Sequence, residues 1–330
     1  MTENDVVGIG NAIVDIIGRC DDAFLAKHQC VKGSMRLVDE PQMFALYEAM
    51  GPGIEISGGS VANTMAGIAS LGGKAAFIGK TASDQVGTIF GHDIRAAGVT
   101  FNTKPALAGS PPTARCLILV TPDGQRTMNT FLGVSPQLDH GEVDETLIKS
   151  GRIVYLEGYL FDMPAAKAAF RQAAHIAAKA GRQVALSLSD SFCVDRHRAE
   201  FRALIKESVD ILFANESEIL SLYETSSFDE AARKAMADTK LAALTRSEKG
   251  SVILSDGNAI TVPCDPVAKV VDTTGAGDLY AAGFLYGVAS GRDLETAGKL
   301  GSLAAAEIIS HIGARPEQKL ADLARKKGLI

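Results

Sequence analysis

The segment 272–278 combines turn residues with two carboxylates, in the order Asp-Thr-Thr-Gly-Ala-Gly-Asp. It lies between a short apolar stretch and a long helical pattern. Gly275 and Gly277 allow a sharp turn that points successive N–H groups outward, and a helix N-terminus adds partial positive charge, so the turn suits an anion. Asp278 begins that helix, where its carboxylate could accept a proton from a hydroxyl that attacks a bound phosphate. It could equally serve only as a helix cap.

Two other segments place polar side chains at the start of a helical pattern. In Gly58-Gly59-Ser60-Val61-Ala62-Asn63, the paired glycines allow close backbone contact with a ligand, and Asn63 offers a donor and an acceptor. An ordinary Gly-Ser helix start gives the same pattern. Asn215 and Glu218 are spaced as a helix cap and its capping-box partner, and the same pair could bind a metal and phosphate.

Two common nucleotide-binding motifs are excluded by spacing. A P-loop needs the pattern GxxxxGK[ST], whereas in Glu248-Lys249-Gly250-Ser251 the lysine precedes the glycine and no upstream partner completes the pattern. A dinucleotide fingerprint needs a third glycine at its sixth position, which is Tyr280 after Gly275 and Ile13 after Gly8. The sequence therefore favours neither a P-loop NTPase nor a nicotinamide enzyme.

Strands and helices alternate along most of the chain, which indicates a mainly parallel sheet covered on both faces. The pattern predicts strands at 6–10, 75–78, 114–121, 126–131, 153–158, 184–188, 211–214, 242–245 and 252–254. It predicts helices at 60–71, 84–97, 164–179, 198–207, 216–223, 278–290 and 294–311. We expect one domain over residues 1–330, with a small β lid formed by about 16–38 and 108–132.

Composition limits the possible partners. With 33 basic and 39 acidic residues the net charge is −6, so we expect neither nucleic acid nor membrane as a partner. The five cysteines are scattered, which favours reduced, buried thiols over disulfides or a zinc site. The N-terminal stretch is acidic where a signal peptide is basic, and no apolar run is long enough for a membrane helix. These features predict a soluble, cytoplasmic protein.

Taken together and in this order, the three segments resemble the signatures of the ribokinase-like (PfkB-type) family of sugar and nucleoside kinases. The resemblance covers essentially the whole chain and implies a three-layer α/β/α fold with a β lid. It is strongest to the adenosine kinases of the family, because residues 10–16, Gly-Asn-Ala-Ile-Val-Asp-Ile, resemble their first strand and Asp15 their nucleoside-binding Asp.

The resemblance implies an ATP-dependent kinase that phosphorylates the 5′-hydroxyl of adenosine to AMP, as in purine salvage. Asp278 is then the general base, Gly275, Ala276 and Gly277 form the anion hole, and Arg126 on the lid approaches the phosphates. A sugar kinase of the same family, acting on ribose, fructose or a similar sugar, is the alternative. A catalytically silent nucleoside-binding protein is the alternative of another class.

The resemblance also assigns ligand contacts. Those implied for the nucleoside or sugar are Asn11, Asp15, Gly58, Gly59, Asn63, Phe131 and Tyr159; those implied for ATP are Asn215, Thr245, Gly250, Gly275 and Gly277. Glu218 is expected to bind Mg²⁺ through water. Many members bind potassium, at positions that match Asp272, Thr274, Ile308, His311 and Gly313. For the oligomeric state, the resemblance allows either a monomer or a homodimer formed through the lid.

Overall fold

The computed structural model describes residues 3–330, so the first two residues of the acidic N-terminal stretch lie outside it. In chain order the strands are β1 (Asn4–Ile9), β2 (Ile13–Arg19), β3 (Met35–Leu37), β4 (Gly53–Gly58), β5 (Ala75–Ile78), β6 (Val99–Phe101), β7 (Ala114–Val120), β8 (Arg126–Phe131), β9 (Gly151–Glu157), β10 (Gln183–Ser187), β11 (Ile211–Asn215), β12 (Leu241–Thr245), β13 (Ser251–Ser255) and β14 (Asn258–Val262). The helices are α1 (Asp22–Lys27), α2 (Glu40–Ala49), α3 (Ser60–Ser70), α4 (Gln85–Ala96), α5 (Glu145–Ser150), α6 (Pro164–Lys179), α7 (Ser191–Ser208), α8 (Glu216–Tyr223), α9 (Phe228–Asp238), α10 (Ala276–Ala289), α11 (Leu294–Ile308) and α12 (Leu320–Lys326).

The larger sheet has the order β14-β13-β12-β11-β10-β9-β1-β5-β6 and is parallel from β6 to β12. Successive residues of its strands face opposite sides. Val6 belongs to a core shared with α3, α10 and α11, whereas Val7 belongs to a core shared with α6 and α7. The predicted three-layer, mainly parallel α/β fold is therefore confirmed. Its parallel strands bring their carboxyl ends to one edge of the sheet.

The smaller sheet, which we call the lid together with α1 and α2, has the order β3-β8-β7-β2-β4. The lid is larger than the sequence pattern indicates, because β4 and α2 lie outside the expected boundaries of 16–38 and 108–132. Pairing of β2 with β7 and of β7 with β8 places Asp15, Cys116 and Thr130 side by side on one face. On the opposite face, α2 packs against β7 and β8.

Some local expectations differ from the structure. Helix α7 begins at Ser191 because the carboxylate of Asp190 accepts a hydrogen bond from the Phe192 N–H at 2.7 Å. The expected start at residue 198 corresponds to a kink, where His197 has non-helical backbone angles. The five cysteines are free thiols, as expected, but Cys264 is exposed rather than buried. Within the described residues, no helix is both long and apolar enough to span a membrane.

Helices α10 and α11 pack closely at Gly283, which yields a stability prediction. A Cβ atom at this position would overlap the backbone carbonyl of Leu300 in α11. We expect Gly283→Ala to lower the free energy of unfolding by about 1–3 kcal/mol, the usual cost of overpacking. Gly277→Ala, in the same helix, is the matched control because a Cβ there meets nothing within 4 Å. Denaturant unfolding that shows equal stability for both variants would contradict this packing.

Candidate active site

The anion loop (residues 272–278) leads directly into α10. Gly275 is the N-cap of the helix and adopts a left-handed conformation with φ 79°, which favours glycine. No side chain caps this helix end, so its first-turn N–H groups remain available to a ligand. The Ala276 N–H is an exception, because it donates to the Thr273 carbonyl at 3.2 Å. Gly277 has no left-handed backbone, and the space in front of it is open.

The carboxylate of Asp278 is bound by side chains from another helix. Ser60 donates to its Oδ1 at 2.6 Å and Asn63 donates to its Oδ2 at 3.0 Å. Thr64 donates to the Asp278 backbone carbonyl at 3.1 Å, which further ties α3 to α10. Asp278 therefore does not act as the cap of α10. Burial raises the pKa of its carboxyl, while Ser60, Asn63 and the charge of Arg315 oppose that rise.

Asp15 faces the same space from the lid, and we call this space the cleft. Within residues 3–330, no group donates a hydrogen bond to its carboxylate. Burial raises the pKa of Asp15 to about 7, and the nearby charges of Arg315 and Arg126 oppose this effect. Gly58 lies against it, since a Cβ atom there would be 2.5 Å from Oδ2 of Asp15. Gly59 has φ 99°, and a Cβ there would overlap the Asn11 carbonyl.

The side chain of Asn11 is engaged within the protein rather than presented to the cleft. Its Nδ2 donates to Glu157 at 2.6 Å, and its Oδ1 accepts from Ser135 at 2.9 Å. Glu157 also accepts from the Val61 N–H at 3.0 Å, at the N-terminus of α3. Burial raises the pKa of Glu157 to about 7. Glu157 is the last residue of β9, and the sequence marked it only as an acidic residue within the predicted strand 153–158.

The two expected aromatic contacts lie apart. Phe131 neighbours Thr130 on β8 and therefore points to the opposite face of the lid from Asp15, into the main hydrophobic core. The structure does not bring it to the cleft. Tyr159 follows β9 at the carboxyl edge of the larger sheet and is 41% exposed. Partial burial, with the negative charges of Asp190 and Asp278, raises the pKa of its hydroxyl.

The expected ATP contacts line up along the carboxyl edge of the larger sheet. Asn215 of β11 lies beside Thr245 of β12, and Gly250 precedes β13 with φ 81°. Asn215 and Glu218 form the capping box that their spacing indicates: the Asn215 side chain accepts from the Glu218 N–H at 2.9 Å, and Glu218 accepts from the Asn215 N–H at 2.9 Å.

Glu218 fits an indirect role toward a magnesium ion. Its carboxyl is 5% exposed, and within residues 3–330 no Lys, Arg or His pairs with it. Burial raises its pKa to about 7, so a nearby divalent cation would favour the ionised form. The described residues contain no cluster of three His, Cys, Asp or Glu side chains that could hold a metal directly. Contact of Glu218 with Mg²⁺ through water therefore stays a prediction.

One of the expected potassium ligands, the carboxylate of Asp272, is engaged within the protein. Asp272 and Arg126 form a buried ion pair at 2.6 Å. The same carboxylate accepts from the N–H and hydroxyl of Thr274 at 3.1 and 2.8 Å and from the Gly313 N–H at 3.2 Å. Its charge is thus already neutralised and its lone pairs are occupied. Two nitrogens of Arg126, Nε and Nη2, are buried without a hydrogen-bond partner.

Besides Glu157, two further contributors to the site were not anticipated from the sequence. Ser60 was visible as part of the Gly-Gly-Ser segment, but its spacing did not indicate that it binds Asp278. Arg315 lies in the loop after α11, and its side chain donates to the Ser57 and Ala62 carbonyls at 2.8 and 2.6 Å. No sequence pattern marked Arg315.

Comparison with known proteins agrees with this arrangement. The family model described as pfkB family carbohydrate kinase matches residues 55–320. The solved structure of a probable sugar kinase from Rhizobium etli is 52% identical, covers 100% of both chains and has a TM-score of 0.93. That of an adenosine kinase from Sinorhizobium meliloti is 54% identical, covers 98% of this chain and 99% of its own, and has a TM-score of 0.91. A 5-dehydro-2-deoxygluconokinase from Bacillus velezensis is 28% identical over 93% of this chain and 89% of its own.

The chain belongs to the pfkB family of carbohydrate kinases, and it is a phosphotransferase that acts on a hydroxyl group. The family implies ATP as phosphoryl donor, typically with Mg²⁺. The predicted family and reaction class are therefore confirmed.

The position of Asp278 yields a catalytic prediction. We expect Asp278→Asn to lower kcat by about 10²–10⁴-fold, because the amide keeps the shape but accepts no proton. Binding of ATP, measured by calorimetry, should stay within a few-fold of wild type. Asp123→Asn, which removes an exposed lid carboxylate outside the cleft, is the control and should keep wild-type turnover. A variant of Asp278 that keeps more than about a third of wild-type turnover would exclude the general-base role.

Proposed function

We propose that this chain transfers the γ-phosphoryl group of ATP to the 5′-hydroxyl of adenosine. The observation that carries the proposal is the position of two carboxylates in one cleft: Asp278 at the end of the anion loop and Asp15 on the lid. Asp278 would accept the proton of the attacking hydroxyl. Asp15 would bind the far side of the acceptor. The similarity to the adenosine kinase from Sinorhizobium meliloti supports the choice of acceptor.

Asp15 has the properties of a diol receptor. It is half-buried and no group in residues 3–330 donates to it, so a ligand with two adjacent hydroxyls would satisfy both of its oxygens. Its pKa of about 7 would fall when such donors bind, since hydrogen bonds to a carboxylate favour the charged form. The buried, unpartnered Oδ1 of Asn63 offers another acceptor in the same cleft. Ribose hydroxyls suit these groups.

The base would lie on an apolar part of the lid. Cys116, Ile118 and Val120 form a small hydrophobic cluster with the half-buried side chains of Ile13, Ile17 and Met128. Strand pairing puts this cluster on the same face as Asp15, and it is separate from the main core. An apolar surface beside a diol receptor favours a nucleoside over a free sugar, because the base gains burial that ribose lacks. In this proposal, the apolar cluster contacts the base in the role that was expected of Phe131.

The chemistry needs alignment and a late proton acceptor. Phosphoryl transfer is promoted by positioning and by charge stabilisation of the equatorial oxygens, which the N–H groups of the anion loop supply. Asp278 is held by Ser60 and Asn63 in one orientation and accepts the proton as the hydroxyl attacks. When Mg²⁺ is bound, it neutralises phosphate charge, and Glu218 would orient its water shell. The lid over the acceptor excludes water as a competing nucleophile.

A free-sugar acceptor is the second candidate. The similarity to the probable sugar kinase from Rhizobium etli and to the 5-dehydro-2-deoxygluconokinase from Bacillus velezensis favours this acceptor.

We further propose that the lid acts within a single chain. Its face opposite Asp15 is covered by α2, so that face is not free to pair with the lid of a second copy.

Acceptor specificity tests the proposal. We expect kcat/KM to be higher for adenosine than for ribose or fructose, and about 10- to 100-fold lower for 2′-deoxyadenosine, because a buried charged acceptor loses a donor. Asp15→Asn should reduce the preference for adenosine over 2′-deoxyadenosine. Asp123→Asn, which removes an exposed lid carboxylate outside the cleft, should leave that preference intact. If ribose or another free sugar equals adenosine, the sugar-kinase alternative replaces this function.

A further inference from the structure

Arg315 bridges the hinge between the lid and the larger sheet. Its Nε donates to the Ser57 carbonyl at 2.8 Å, its Nη2 to the Ser57 hydroxyl at 2.9 Å, and its Nη1 to the Ala62 carbonyl at 2.6 Å. Ser57 belongs to β4 of the lid, whereas Ala62 lies in the first turn of α3. Gly58 and Gly59 connect them. One guanidinium therefore fixes both sides of the glycine hinge.

The charge of Arg315 is not neutralised by a direct ion pair. Its three contacts are with neutral oxygens, and within residues 3–330 no carboxylate pairs with it directly. Asp93 is linked to it only through Ser57, whose N–H and hydroxyl donate to the Asp93 carboxylate at 2.8 and 2.5 Å. The guanidinium is partly buried, which lowers its pKa to about 10, so it stays charged at neutral pH. Its field reaches both cleft carboxylates.

We propose that Arg315 is a positioning residue for phosphoryl transfer, which fixes the first turn of α3, where the two donors to Asp278 lie, and places a positive charge near both cleft carboxylates. The proposal rests on the proposed function, because it assumes that Asp278 accepts a proton. Ser60 and Asn63, the two donors to Asp278, lie in the turn that Arg315 holds. The same side chain thus sets the geometry of the base and its electrostatic environment.

The sign of the effect follows from the groups around each carboxylate. The groups that face Asp278 or Asp15 from the surrounding elements are Ser60 and Asn63 of α3, Tyr155 and Glu157 of β9, Tyr159, Cys116 of β7, Arg126 of β8 and Arg315. Burial raises both pKa values, and Arg315 lowers both. A base is active when ionised, so activity is lost as pH falls through its pKa. Removing the charge of Arg315 moves that loss to higher pH.

The test is the pH dependence of kcat/KM for the best acceptor, measured on the full chain with saturating ATP. In such a profile, kcat/KM falls at low pH as the base is protonated, and we call this fall the acid limb. We expect Arg315→Gln to move the acid limb to a pH about one unit higher, since an opposite charge near a carboxylate shifts its pKa by about 1–3 units. The ratio of kcat/KM for Arg315→Gln to that of wild type should then be about tenfold lower at pH values below the acid limb than at pH values above it. Arg315→Lys keeps the charge but cannot make all three contacts. It should leave the limb in place and lower kcat at every pH.

Ser57→Ala is the matched control, because it leaves the guanidinium and removes only the two hydrogen bonds of the Ser57 hydroxyl, which accepts from Arg315 and donates to Asp93. Its acid limb should coincide with that of wild type. If Arg315→Gln loses the same factor at every pH, or if the limb of Arg315→Lys moves as that of Arg315→Gln should, the proposal is overturned. Should Arg315→Gln fail to fold, the limb of Arg315→Lys decides. A wild-type chain that phosphorylates no acceptor would instead refute the proposed function, and this proposal with it.

Discussion

A carboxylate that accepts a proton inside a closing cleft must remain ionised away from water, and the site is organised around that requirement at Asp278. Burial alone would favour the protonated form. Ser60 and Asn63 offset this effect by donating one hydrogen bond to each oxygen. Both donors belong to the first turn of α3, so the position of that helix determines whether Asp278 can act as a base.

The N-terminus of α3 is in turn held from two sides. Glu157 of β9 accepts from the Val61 N–H, and Arg315 donates to the Ala62 carbonyl. The glycine hinge that precedes α3 continues into β4, so the lid and the helix that orients the base share one connection. A movement of the lid about this hinge would therefore be felt at Asp278. In a kinase, such a connection would couple closure of the lid, which excludes water, to the orientation of the Asp278 carboxylate.

The anion loop, the capping box and the hinge glycines could be predicted from the sequence because each is a local pattern of a few residues. The partners of Asp278 could not, since Ser60 and Asn63 are 218 and 215 residues away along the chain. Phe131 illustrates a second limit, because one step along β8 reverses the face of the sheet. The sequence underestimated the size of the lid because β4 and α2 have only weak hydrophobic periodicity. The ion pair of Arg126 with Asp272 could not be predicted, because it depends on how the lid packs against the anion loop.

The most direct test of the central claim is a crystal structure of the chain with adenosine and a non-hydrolysable ATP analogue. The account predicts the adenosine 5′-oxygen within hydrogen-bond reach of the Asp278 carboxylate, about 2.6–3.2 Å, with the terminal phosphate at the N-terminus of α10. Ser60 and Asn63 should still hold that carboxylate. A closed complex in which the 5′-oxygen lies beside another side chain, with Asp278 out of reach, would contradict the account.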